Sequence, residues 1–201
     1  MFDTSLRPLI DPPLAAGGRL LARMGISAGA VTFLGLVVGL LAALAIANEA
    51  YRAALLLVLA NRILDGLDGA VARVSTPTDR GGYLDICADY VFYAAVPFAF
   101  AVADPGNNAL AAAALLAGFC LTCSSFLAFA AIAARRGLDT DQHGKKSFFY
   151  STGLVEGTET ILFFLAMILW PGWFSEIALL FALLCVLTAI HRGWIAMSLF
   201  R

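Results

Sequence analysis

Six stretches of this chain, approximately 28–48, 51–73, 81–103, 108–134, 148–170 and 174–197, are long and mostly apolar, with short polar breaks between them. A helix needs roughly 20 mostly apolar residues to cross the hydrocarbon of a bilayer. Each stretch meets that length. The breaks carry turn-forming or polar residues: Asn48-Glu49, Ser75 to Asp79, Asp104 to Asn108, Arg135 to Lys146, and Trp170 to Trp173. The chain is 61% hydrophobic and 13% charged, more apolar than a soluble domain of 201 residues requires. The expected fold is an all-α membrane protein. A six-transmembrane-helix bundle over 24–201 follows an interfacial amphipathic helix over 1–23. No repeat, low-complexity tract or internal domain boundary interrupts it.

The N-terminal segment mixes Phe2, Leu6, Leu9, Ile10, Leu14, Leu20 and Leu21 with Arg7, Arg19 and Arg23. That suits a helix lying in the interface of the inner leaflet. It has no uninterrupted apolar core and contains Pro8, Pro12 and Pro13, so it does not read as a cleavable signal peptide. The formal net charge of −1 provides no basic field for nucleic acid. Cys120-x-x-Cys123 has no second Cys or His pair to complete a metal site. Both residues read as small packing residues at a helix–helix contact.

Positive charge sets the orientation. With the N-terminus in the cytoplasm, Arg7, Arg19, Arg23, Arg73, Arg80, Arg135, Arg136, Lys145, Lys146, Arg192 and Arg201 all fall on the inner side. Only Arg52 faces outward, and Arg62 lies within the second apolar stretch. The expected topology is therefore N-in and C-in, with Trp170 and Trp173 at the outer interface.

Against this background stand four aspartates: Asp65 and Asp68 near the inner end of the second stretch, Asp85 and Asp89 near the start of the third. Carboxylates at membrane depth are costly and mark functional sites by default. Spacings of three and four place each pair on one helix face. Four converging carboxylates repel one another unless cations intervene. Hard divalent ions that prefer oxygen, Mg²⁺ or Mn²⁺, remove that penalty and act on phosphate. Gly66, Gly69, Ala70 and Ala72 would let a bulky ligand approach the helix backbone, and Arg73 is positioned to hold a phosphate. A set of buried ion pairs would need more than Arg62 and Arg73 to neutralise four carboxylates. A proton relay or channel is the other alternative, but the small residues and the clustering at one membrane face do not suit a path across the bilayer.

The pattern Asp65-x-x-Asp68-Gly69-x-x-Ala72-Arg73 followed by Gly81-x-x-x-Asp85-x-x-x-Asp89 resembles the signature of the CDP-alcohol phosphotransferases (CDP-alcohol phosphatidyltransferases). The gap from Arg73 to Gly81 is one residue shorter than the family's usual one and reads as a shortened loop. Ala28-Gly29 stand where many members have Pro-Asn. The chain is also similar to a bacterial inner-membrane branch of the family that combines stretches like Asn61 to Gly69 and Glu156 to Thr160.

The resemblance implies that Asp65, Asp68 and Asp85 bind two divalent cations, Mg²⁺ or Mn²⁺, with Asp89 completing the site and serving as general base. It implies that Gly69, Ala72 and Arg73 contact the CDP moiety. It also implies a homodimer in the bacterial inner membrane. The expected reaction moves a phosphatidyl group from CDP-diacylglycerol to an acceptor alcohol in phospholipid synthesis, with release of CMP. A small CDP-alcohol donor with a lipid acceptor is the alternative within the class, and a proton-coupled carrier the alternative outside it. Glu156, Glu159, Lys145 and Lys146 belong to a second polar set on the inner side: the glutamates are expected either to line the acceptor pocket, with Lys145 and Lys146 holding the phosphate of a phosphorylated acceptor, or to pair with Arg62 or His191 as a helix tie.

Overall fold

The computed structural model describes residues 3–137 and 157–200, with side chains from residue 11 onward. Seven α-helices and no strand occur among the described residues. They are α1 (Asp3–Arg23), α2 (Ala28–Ala47), α3 (Tyr51–Val74), α4 (Asp79–Ala103), α5 (Pro105–Arg135), α6 (Gly157–Leu169) and α7 (Phe174–Leu199), with a single 3₁₀ turn, Pro171–Trp173, before α7.

Local chemistry fixes where the helices begin and end. Ser27 caps α2 by accepting from the Ala30 N–H at 3.3 Å. Thr78 does the same for α4 through Gly81 N–H at 3.1 Å, so α4 starts at Asp79. Asp104 accepts from Asn107 N–H at 3.2 Å, and Pro105 occupies the first turn of α5, where no N–H is missed. Hydrogen bonds from Asn107 hold the Asp104 carboxyl below the usual carboxylate range. α1 ends in a paired closure, Ile26 N–H to Leu21 and Gly25 N–H to Ala22, with Gly25 at φ 78° as the geometry demands.

α2 packs against α3 and α4, α4 against α5, and α5 against α7, while α6 contacts α3 and α7. The core is made of small residues and phenylalanines. Ala42, Ala54, Ala112 and Ala178 are buried, Phe100 stacks on Phe174 at 4.4 Å, and Phe92 meets Phe164 edge-on at 5.8 Å. Leu115 is the single leucine in the buried core among the described residues, whereas Phe33, Leu56, Ile63, Leu110, Leu183 and Ile190 face outward. This distribution is what lipid selects: small residues bring backbones together, and large apolar side chains meet the acyl chains. Arg192 ties α7 to α5, donating to Thr122 O and Ser125 Oγ at 2.9 Å each.

α2, α4, α5 and the stretch Pro171–Leu199 are each long and apolar enough to cross a membrane. α3 has the length, 24 residues, but carries Arg52, Arg62, Asp65, Asp68 and Arg73. α6 is a shorter apolar helix of 13 described residues.

Two expectations about small residues change. Cys120 is exposed on α5, and it is Cys185 of α7 that fills the contact, since a Cβ on Gly118 would come within 3.0 Å of the Cys185 Cβ. Gly66 and Ala70 do not offer their backbone to a ligand either, because α1 covers them. A Cβ on Gly66 would lie 2.7 Å from Leu14 Cδ1, and one on Gly18 would lie 2.7 Å from the Ala70 backbone carbon. The helix through Pro12 and Pro13 is thus held by tight packing of its C-terminal half on α3.

Candidate active site and metal centre

Three helices converge on one polar pocket at the shared end of α3 and α4. Thr32, Gly35 and Leu36 come from α2; Asn61, Arg62, Asp65 and Asp68 from α3; Asp85, Ala88 and Asp89 from α4. α2 can approach because it is glycine-lined on this side. A Cβ on Gly39 would lie 2.8 Å from the Phe92 ring and 3.0 Å from Asn61 Nδ2. Asn61 is buried and donates to the Gly35 carbonyl at 2.8 Å, which locks α2 to α3 beside the pocket. A larger, more open depression at the other end of the helices is lined by Glu49 to Ala53, Leu55, Ile168, Leu169 and Pro171, with Glu49 the single acidic residue in that lining.

Asp65, Asp68 and Asp85 each offer a carboxylate oxygen, and these oxygens lie within 4.8 Å of one another. Asp68 is buried, Asp65 half-buried and Asp85 exposed, so the triad opens toward one side. Three convergent carboxylates of this kind fit a hard divalent cation. Asp89 lines the same pocket but stands outside the triad. Its Oδ1 faces the Arg62 guanidinium, with Nη1 and Nη2 each 3.4 Å away. Arg62 Nη1 also reaches Asp65 Oδ2 at 3.5 Å.

Arg62 was the residue least legible in this arrangement. A pair with the aspartates and a pair with the glutamates of the fifth apolar stretch were both open to it, and among the described residues it contacts Asp65 and Asp89. The available signal was its position three residues before Asp65, on the same helix face.

The Arg73 guanidinium folds back toward Gly69: a Cβ added there would sit 3.3 Å from Arg73 Nη1. Ala72 is half-buried and Arg73 exposed. Glu159 is half-buried in the first turn of α6. The start of that helix lies beside α4, since a Cβ on Gly157 would be 3.9 Å from Tyr93 Oη, one turn along from Asp89. Glu156, Lys145 and Lys146 lie outside the described residues.

An all-helical membrane protein with paired acidic helix ends defines a narrow class, and sequence comparison identifies it. A family model for CDP-alcohol phosphatidyltransferase matches residues 26–198. The chain belongs to the CDP-alcohol phosphatidyltransferase family, a family of transferases. It is 48% identical over 194 residues to the inner membrane protein YnjF of Escherichia coli, covering 96% of this chain and 94% of that one. It is 31% identical over 100 residues to archaetidylinositol phosphate synthase of Pyrococcus horikoshii, covering 49% of this chain and 53% of that protein. Its fold matches the crystal structure of Mycobacterium tuberculosis phosphatidylinositol phosphate synthase in complex with manganese and citrate. The TM-score is 0.72 at 23% identity, over 92% of this chain and 89% of that one. The same synthase with CDP-DAG bound matches with a TM-score of 0.69 at 24% identity, over 90% and 92%.

Proposed function

We propose that this protein is a metal-dependent phosphatidyltransferase of the inner membrane that takes its phosphatidyl group from CDP-diacylglycerol. It passes that group to an acceptor alcohol and releases CMP. The observation that carries the reading is the acidic triad of Asp65, Asp68 and Asp85 within a chain of this family. Support for the donor comes from the synthase of the same fold solved with CDP-DAG, and support for the metal from its manganese complex. A six-span, N-in and C-in topology with the pocket toward the cytoplasm is part of the proposal, as is a homodimer. The topology rests on the distribution of Lys and Arg, and the homodimer on the family resemblance.

In this reading Asp65, Asp68 and Asp85 would hold the divalent cations, two Mg²⁺ or Mn²⁺ ions, with Asp89 completing the site. Divalent cations held by these carboxylates would supply charge neutralisation for the diphosphate and the departing phosphate. The acceptor hydroxyl oxygen attacks the β-phosphorus of the donor, a new P–O bond forms, and the bond to CMP breaks. Asp89 accepts the hydroxyl proton, a role suited to a carboxylate in the pocket but outside the triad. Arg73, Ala72 and Gly69 bind the CDP moiety, with the guanidinium on phosphate.

Gly69→Leu should block nucleotide binding without unfolding the bundle. The nearest atom to a new Cβ is the tip of Arg73, a flexible side chain that can move aside. Leucine also has the better helix propensity. Equilibrium binding of a CDP-alcohol to the purified variant checks this. Unchanged affinity would show that cytidine lies elsewhere.

Glu156, Glu159, Lys145 and Lys146 are proposed to line the acceptor side, supported by the position of the α6 start beside Tyr93. Glu156→Gln and Glu159→Gln should each raise the KM for the acceptor alcohol and leave that for the CDP-alcohol nearly constant. Equal effects on both substrates, with a lowered melting temperature, would assign the glutamates a structural role.

A further inference from the structure

At the end of the helices opposite the aspartates, the depression beside the α2–α3 turn holds about 640 Å³, within the range of about 300–1,000 Å³ that small-ligand sites occupy. Its lining divides by chemistry. Leu55, Ile168, Leu169 and Pro171 form an apolar wall, and Glu49 and Arg52 are its charged residues. Both charged residues are exposed, and among the described residues no ion pair joins them. Tyr51 lies between the two in the chain and is fixed by stacking on Phe100, with 6.0 Å between ring centroids. Glu49 closes the end of α2 in a left-handed conformation, φ 57°. Its N–H donates to Ile46 O and that of Ala50 to Ala45 O, each at 2.8 Å. Glycine is the usual residue at this position of a helix end, so a glutamate here carries a backbone penalty that the turn itself does not require. Trp170 and Trp173, both exposed, flank Pro171 as interfacial aromatics do.

We propose that this depression binds a phospholipid with a primary-amine headgroup: its phosphate on Arg52, its ammonium on Glu49, and the upper part of an acyl chain along Leu55, Ile168 and Leu169. Two opposite charges close together in the chain, and not paired with each other, match a headgroup that carries both. An anionic headgroup would meet Glu49 as a repelling charge, and a quaternary ammonium has no N–H to donate to its carboxylate. A water-soluble zwitterion would leave the apolar wall uncovered. Neither the charges nor the wall belongs to the acidic pocket, so the site stands whether or not the chain transfers phosphatidyl groups. The proposed N-in topology puts it in the outer leaflet.

The test uses the full-length protein carrying Trp194→Phe, which leaves Trp170 and Trp173 as the fluorescent reporters. It is reconstituted in phosphatidylcholine vesicles. Phosphatidylethanolamine, phosphatidylglycerol or phosphatidylcholine with brominated acyl chains is then included at equal mole fraction as the quencher. Brominated phosphatidylethanolamine should associate with the reporters on the order of fivefold more strongly than either of the others, the upper range for ion pairs near a surface. Glu49→Gly should remove that preference while the melting temperature holds or rises, since glycine adopts φ 57° without strain. Arg52→Gln should weaken phosphatidylethanolamine association to a similar extent, and Arg52→Lys should recover part of it. Equal quenching by the three lipids with both charges in place would overturn the proposal. So would a preference that survives either Glu49→Gly or Arg52→Gln in a folded protein, and the glycine variant decides even if the other fails to fold. Strongest quenching by phosphatidylglycerol would assign the depression to anionic lipid through Arg52 alone and would likewise overturn it.

Discussion

Replacing Asp89 by asparagine should abolish turnover while leaving CDP-alcohol binding largely intact. Asparagine keeps the shape of the side chain but cannot take the acceptor's proton. The deficit should therefore fall in the chemical step, where a positioned base contributes roughly 10²–10⁴-fold. The geometry sharpens this expectation. Asp89 lies outside the triad whose oxygens come within 4.8 Å of one another, so its loss does not dismantle that cluster. Single-turnover rates and equilibrium binding of the donor, measured on the same preparation, separate the two effects. Near-normal turnover would remove Asp89 from the base role, and loss of donor binding would assign it chiefly to the cations.

Removal of divalent cations should abolish activity altogether. Asp65, Asp68 and Asp85 present three carboxylates at close range, and the Arg62 guanidinium contacts Asp65 and Asp89. A single guanidinium cannot offset the triad and the diphosphate of a donor together. Chelation should bring CMP release to background, and adding back Mg²⁺ or Mn²⁺ should restore it. Asp68→Asn should reproduce the loss, since Asp68 is the buried member of the triad. Full activity in metal-free buffer would sink the metal-dependent mechanism.

The sequence carried the helical framework because lipid imposes a length and a composition on any span. The stretches expected at 28–48, 51–73 and 174–197 differ from α2, α3 and α7 by no more than two residues at either end. α4 and α5 start earlier than the apolar runs because Thr78 and Asp104 cap them, and capping residues are polar by nature. The aspartates were legible for a related reason. Carboxylates in an apolar run stand out, and spacings of three and four fix a common face.

What remained hidden is which neighbour each helix face meets. Gly66 and Ala70 read as a surface for ligand approach, and the packing of Leu14 and Gly18 makes them a helix contact instead. Cys120 read as a packing residue from its apolar run alone, and the packing of α5 against α7 leaves it exposed and buries Cys185. Arg62 could have paired with acids on any inward-facing helix. Its partners follow from the anchoring of Asn61 to Gly35, a contact 26 residues apart in the chain that no local spacing reveals.

The most direct test of the proposed reaction is to reconstitute the purified protein in vesicles with CDP-diacylglycerol carrying labels in both the cytidine and the acyl chains. A panel of acceptor alcohols, phosphorylated and not, is then supplied with Mg²⁺ or Mn²⁺. The expected result is CMP and a labelled phospholipid formed in equal amounts with at least one acceptor. No CMP with any acceptor, together with proton or solute flux across the same vesicles, would contradict a phosphatidyltransferase and point to a carrier.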